Sequence, residues 1–190
     1  WQVSDDGQSG WTNIDGATNS EYVIAKDQIL VGKYIRAVAT TTDELGGQTL
    51  FEGSASGVIA NVNDLPTGGV TISGEVVQGE TLTASSTLAD LDGLGTVTYQ
   101  WQSDGEGISG ATDSTYTVTQ ADVGTEIAVL ASYTDGQGTS ESVTSQATEV
   151  VKNIDSPATA TLAISGKAEE GGELVGTLSD VCDADGSTTT

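Results

Sequence analysis

The chain repeats itself. Gly16-Ala17-Thr18-Asn19-Ser20, two residues before Tyr22, recurs as Gly110-Ala111-Thr112-Asp113-Ser114 before Tyr116. Gly32 and Ile35 recur as Gly124 and Ile127, Asp43 as Asp135, and Asn61 as Asn153, each pair 92 residues apart. Ile72-Ser73-Gly74 recurs at that distance as Ile164-Ser165-Gly166, and Asp90-Leu91-Asp92-Gly93 returns as Asp183-Ala184-Asp185-Gly186. Trp1-Gln2 matches Trp101-Gln102 at a spacing of 100, because the loops between differ in length. A period of this size is one small domain, so whatever one period folds into sets the architecture. The phase of the repeat divides the chain into residues 1–64, the back part of one repeat; 65–157, a whole repeat; and 158–190, the front part of a third.

Within the whole repeat, short alternating runs are separated by clusters of Gly, Asp and Ser, the pattern of strands and turns. Strands are expected near Val70–Ser73, Thr81–Ser86, Val97–Ser103, Thr115–Thr119, Glu126–Tyr133 and Glu141–Val151, with a shorter one near Ile108–Ala111. Gln120-Ala121-Asp122-Val123-Gly124 reads as one helical turn, and no segment carries a longer helical period. About seven strands in a unit of this length predict an all-β fold of immunoglobulin-like β-sandwich repeats, one complete and two partial. Trp101 is expected in the core of the complete one. The Thr, Ser and Val of the strands suit a pleated, half-buried surface. An odd strand count in two sheets puts the two ends of a repeat at opposite poles, so tandem repeats would run head to tail as a rod.

Charge narrows the partners. The 190 residues carry 28 Asp and Glu against 5 Lys and Arg, a net charge of −23. Such a field repels nucleic acid and anionic membrane. The acidity is spread through all three segments: 9 acidic residues fall in 1–64, 13 in 65–157 and 6 in 158–190. No apolar run approaches the ~20 residues of a membrane span. The chain opens at Trp1 without a signal-like stretch, so it is expected to be a piece of something longer.

The carboxylates gather where a sandwich would bring loops together. At one pole the linker Asn61-Val62-Asn63-Asp64-Leu65-Pro66 is expected beside the loops holding Asp90 and Asp92 and holding Asp135. Calcium takes about six to eight oxygen ligands in flexible geometry, which Asp and Asn beside Gly can supply. Without a cation such a cluster repels itself. At the other pole Glu80, Asp122, Asn153 and Asp155 are expected to meet Asp183 and Asp185 of the next repeat. Asp, Asn and Gly also populate turns for local reasons. Their recurrence in register beside a linker is what favours a Ca2+ site at each joint.

Catalysis finds little support, and the expectation is that the chain is not an enzyme. It has no His, and its paired carboxylates lie in Gly-rich loops with no nucleophile and base in view. Its one Cys, Cys182, forms no disulfide within the chain and sits beside acidic residues that raise a thiol's pKa. The alternative to a structural role is a binding module that grips carbohydrate or protein through exposed loops, for which Trp11 is the candidate aromatic.

The segments Thr87–Gly95, Tyr99-Gln100-Trp101-Gln102, Ile108–Thr112, Thr119–Gly124, Ser132–Thr139 and Asn61–Gly68 occur in an order that resembles the tandem immunoglobulin-like, cadherin-like repeats of giant RTX adhesins. Gram-negative bacteria secrete these through a type I system. The resemblance implies extender domains on the bacterial cell surface, spacing a distal ligand-binding region from it. It also implies calcium at the joints between neighbouring repeats. The second linker, Asn153-Ile154-Asp155-Ser156-Pro157, is shorter and poorer in ligands than the first, and Asp43-Glu44-Leu45-Gly46 replaces the Asp-Gly turn at 135–138.

The two outer pieces are complementary. Residues 1–64 lack the first two strands of a repeat, and 158–190 hold only those two. Each alone exposes apolar side chains and open sheet edges. Head-to-tail complementation between copies of the chain is therefore expected, a heterologous contact that builds filaments or rings.

Overall fold

The computed structural model describes residues 1–186. Among these there are fourteen β-strands, one 3-10 turn and no α-helix. All the pairings set out below are antiparallel. The chain divides into two compact units. One comprises Trp1–Thr67, Ala89–Thr96 and Thr134–Glu141; the other comprises Gly68–Leu88, Val97–Tyr133 and the chain from Ser142 on.

The second unit holds the principal core. Strands β6 (Val70–Ser73), β7 (Thr81–Ser86) and β10 (Thr115–Thr117) form a sheet in the order β10-β7-β6. Strands β8 (Thr98–Ser103), β9 (Glu106–Gly107), β11 (Ile127–Thr134) and β12 (Ser140–Thr144) form another in the order β12-β11-β8-β9. Alternate residues of both sheets enter one buried cluster: Val70, Leu82 and Ala84 from the first, Trp101, Ile127, Val129 and Ala131 from the second. This is the sandwich-like outcome of period-two patterning, in which each sheet covers the apolar face of the other. Trp101 is fully buried, its Nε1–H donates to the Asp113 carbonyl at 2.9 Å, and its ring stacks on Tyr116 at 5.7 Å.

The expected strand at Glu141–Val151 ends as a ladder at Thr144, for a local reason. Ser145 and Thr148 each use both backbone and side chain against β11. Ser145 N–H donates to Val129 O while Ser145 Oγ accepts from Val129 N–H; Thr148 makes the same pair of bonds with Ile127. A hydroxyl thus replaces the carbonyl that a regular strand would offer. The expected short strand at Ile108–Ala111 is a turn that still bonds to β8, Ile108 N–H donating to Trp101 O and Trp101 N–H to Ala111 O, both at 2.9 Å, while the ladder with β8 is made by β9.

Strands β13 (Thr159–Gly166) and β14 (Leu174–Cys182) form a two-stranded ribbon, exposed along its whole length. In the other unit, β1 (Gln2–Ser4), β2 (Thr12–Asn13) and β3 (Tyr34–Arg36) form a sheet in the order β2-β1-β3, while β4 (Val38–Thr42) pairs with β5 (Gln48–Glu52). Residues 21–25 match the β10 region in sequence yet form no strand. β10 exists because β7 pairs with it. Residues 1–64 contain no counterpart of β7, so Val23 and Ile24 stay exposed.

Candidate metal centre

Three segments far apart in sequence converge inside the first compact unit: the linker at 61–66 and the loops 89–96 and 134–141. Thr67 and Ala89 exchange backbone hydrogen bonds of 2.8 and 3.0 Å, which ties the linker to the first loop. The Gly136 N–H donates to the carbonyls of Asp92 and Gly93 at 3.0 and 2.9 Å, which ties the two loops together. This approach requires glycine. A Cβ on Gly136 would lie 2.6 Å from the Asp92 carbonyl oxygen, and one on Gly95 would lie 2.0 Å from that of Thr134.

The side chains are positioned by the turns that carry them. Asp135 Oδ1 accepts from Gln137 N–H at 2.9 Å and Thr139 N–H at 2.7 Å, an Asx-type turn that fixes the carboxylate. Asp90 Oδ1 accepts from Asp92 N–H at 2.8 Å in the same manner. Asp92 Oδ2 accepts from the linker, Asp64 N–H, at 2.6 Å. Asn63 Nδ2 donates to Glu141 Oε1 at 2.7 Å, and Gln28 Nε2 donates to Asp64 Oδ2 at 3.4 Å. Carboxylate oxygens of Asp90, Asp135 and Glu141 lie within 4.8 Å of one another.

The oxygens left over define the chemistry. Asp92 and Asp135 are only 4% and 6% exposed. Asp92 Oδ1 and Asp135 Oδ2 are buried without a hydrogen-bond partner, and so are Asn61 Oδ1 and Gln28 Oε1. Buried polar atoms are nearly always satisfied, because each orphan costs about 1–3 kcal/mol. Four orphan oxygens and three clustered carboxylates are met together by a hard cation, and oxygen-only ligands suit calcium chemistry. The donor set of Asp90, Asp135 and Glu141 therefore fits a metal ion.

A partial second cradle lies in the other unit. Asp183 Oδ1 accepts from Asp185 N–H at 2.9 Å, and Asp185 Oδ2 accepts from Ser156 N–H. These bonds mirror those of Asp90, Asp92 and Asp64. Gln120 Nε2 donates to Asn153 Oδ1 at 3.4 Å, and Gln120 Oε1 and Asp185 Oδ1 are buried without partners. Asp155 is exposed in this linker.

Glu80 and Asp122 are placed differently from the rest of the second set. Glu80 is exposed on the turn before β7. Asp122 is buried and closes its own turn: Oδ2 accepts from Thr119 N–H at 2.8 Å, Thr119 Oγ1 at 2.7 Å and the Tyr116 hydroxyl at 2.6 Å. Burial first, and the Asp122 bond second, push the Tyr116 phenol up to about 12.

The residues not anticipated from sequence are Gln28, Gln120 and Glu141. Gln28 and Gln120 are themselves 92 apart, so the repeat carried that signal. Trp11 is half-buried, with the Arg36 guanidinium 4.5 Å from its ring centroid. Among the described residues no helix is long and apolar enough to cross a membrane. No protein family, curated protein or solved structure matches the chain.

Proposed function

We propose that the chain is a calcium-stiffened spacer, built of immunoglobulin-like repeats, from a secreted bacterial adhesin of the RTX type. The observation that carries this reading is the set of buried, partnerless oxygens on Gln28, Asn61, Asp92 and Asp135, beside the carboxylates of Asp90, Asp135 and Glu141. They belong to a linker and to loops on either side of it in the repeat, so an ion held there ties consecutive repeats through the segment that would otherwise bend. Calcium supplies the positive charge that lets these carboxylates stay ionised together. The repetition of the Asp-x-Asp bond pattern at Asp183 and Asp185 extends the device to the next joint. A spacer needs no catalytic group, and none is assigned. In this reading the whole assembly lies outside the cell, where millimolar calcium keeps the joints loaded and the repeats hold a distal ligand-binding region away from the surface.

Small-angle X-ray scattering with calcium and with chelator tests the reading. Calcium should give a longer, stiffer particle than chelator. Identical maximum dimension and flexibility in the two conditions would refute the stiffening.

A further inference from the structure

In the complete repeat, a short stretch after β6 ties the start of the domain to its end. β6 stops before Gly74, where a φ of +126° turns the chain out of the β7 sheet. The residues that follow run beside the segment that leaves the domain. Val77 and Lys152 form a parallel bridge: Lys152 N–H donates to Val76 O and Gln78 N–H donates to Lys152 O, both at 3.0 Å. On its other side the leaving segment bonds to the residues that lead into β11. Val151 N–H donates to Thr125 O at 2.8 Å, and Gly124 N–H donates to Val151 O at 3.1 Å. Val151 is buried in the core and Val76 packs against it, which shelters these bonds on one face.

A side chain adds one more rung. A regular parallel ladder would continue from Ile154 N–H to the Gln78 carbonyl. Gln78 instead lies in a turn closed by Glu80 N–H donating to Val77 O at 3.1 Å. Its side-chain Oε1 accepts from Ile154 N–H at 3.1 Å and so stands in for the main-chain oxygen.

We propose that residues 76–78 and 152–154 are a clamp that resists tension along the chain, built wholly from protein hydrogen bonds and independent of any metal. The direction of the two segments carries the argument. The chain reaches Val76 from β6 and leaves Lys152 for the linker at 153–157. Tension through both linkers therefore draws the two members of a parallel pair in opposite directions along their length. All three bonds are then strained together and must fail together. Had the segments been antiparallel, the same pull would open the bonds one at a time from one end. Gln78 lengthens the clamp by a third bond at the point where the chain leaves it. That tension reaches the clamp in service rests on the spacer reading; the clamp itself does not.

The test is force spectroscopy of the full chain held by its two ends in chelator. The complete repeat is recognised by a step of about 250 Å, roughly 90 residues at about 3.4 Å each less the folded span. Forced unfolding reads the unfolding rate directly. Gln78→Ala should unfold roughly fivefold faster than the parent at the same tension, the effect of one hydrogen bond lost. Gln78→Glu, which keeps an acceptor for Ile154 N–H, should recover most of that difference. A second pulling geometry decides without any change at Gln78. With Glu80→Cys and Cys182→Ser, the chain is held at position 80 and at its C-terminal end. Both pulls then act at the same end of the parallel pair, and the repeat should yield at lower tension. Equal rates for Gln78→Ala and the parent, or equal yield tensions in the two geometries, overturn the clamp. Every arm runs in chelator, so failure of the calcium reading leaves these results unchanged.

Discussion

Replacing Asp92 by asparagine should have opposite effects on stability with and without calcium. Asp90, Asp135 and Glu141 offer oxygens within 4.8 Å of one another. At that separation two unit charges repel by about 1 kcal/mol in water and by about 3.5 kcal/mol at an effective dielectric near 20. Asp90 and Glu141 are partly exposed, so solvent screening favours the lower part of that range. Even so, three pairs amount to at least about 3 kcal/mol, a large share of a total stability of about 5–15 kcal/mol. Asp92, nearly buried and bonded through its own N–H to Asp90, adds a further charge beside this group. The Asp92→Asn variant keeps an acceptor for the Asp64 N–H, which lies 2.6 Å from the Asp92 carboxylate, and removes the charge. In chelator it should therefore be more stable than the parent by roughly 1 kcal/mol, a melting temperature higher by roughly 2–4 °C. At about a hundredfold excess of calcium over its Kd, the parent gains about 2.7 kcal/mol. Losing one charged ligand costs about 1.5–3 kcal/mol of that affinity. The variant should then bind calcium roughly ten- to a hundredfold more weakly and melt below the parent. Differential scanning calorimetry in calcium and in chelator, with titration calorimetry for the affinity, reads both numbers. If the variant is destabilised equally in the two conditions, Asp92 is only an acceptor for the linker, and the cation argument fails.

Gln28→Ala removes one orphan oxygen without changing charge; it should weaken calcium binding several-fold and leave stability in chelator unchanged or improved, which the same calorimetry reads. Tyr116 provides a control outside the Asp90, Asp135 and Glu141 cluster. Its neutral phenol contributes stability in full below the ordinary tyrosine value near ~10, and that contribution is lost as pH rises towards about 12. Tyr116→Phe should remove a step at high pH from an ultraviolet titration and make the alkaline loss of stability shallower. An unchanged titration in the variant would show that the Asp122 bond does not hold the phenol neutral.

Much of the fold was legible because its signals are local. Strands β6 and β7 fall on the residues that alternation marks, and the turn at Gln120–Asp122 follows from a Thr and an Asp three residues apart that satisfy each other's backbone. The candidate metal centre was legible in part. Asp90, Asp92 and Asp135 stand out as acidic residues recurring beside glycine, and Asn61, Asn63 and Asp64 as a linker rich in ligand atoms. Gln28 and Glu141 were not legible as members of the candidate centre, because an uncharged amide and a strand residue look ordinary until folding orients them. Asp122 shows the converse. Its type and position suited a ligand, yet its Oδ2 is taken up by Thr119 and Tyr116.

The repeat, the all-β character and the uniform acidity are properties of residue order alone, since period and charge need no third dimension. Which oxygens end up buried and unpaired, which acid closes a turn, and which apolar face is left open depend on contacts between residues tens of positions apart. A strand forms only where another presents its edge, as the coil at 21–25 shows beside the ordered β10. Pairing across such distances is decided by the tertiary fold.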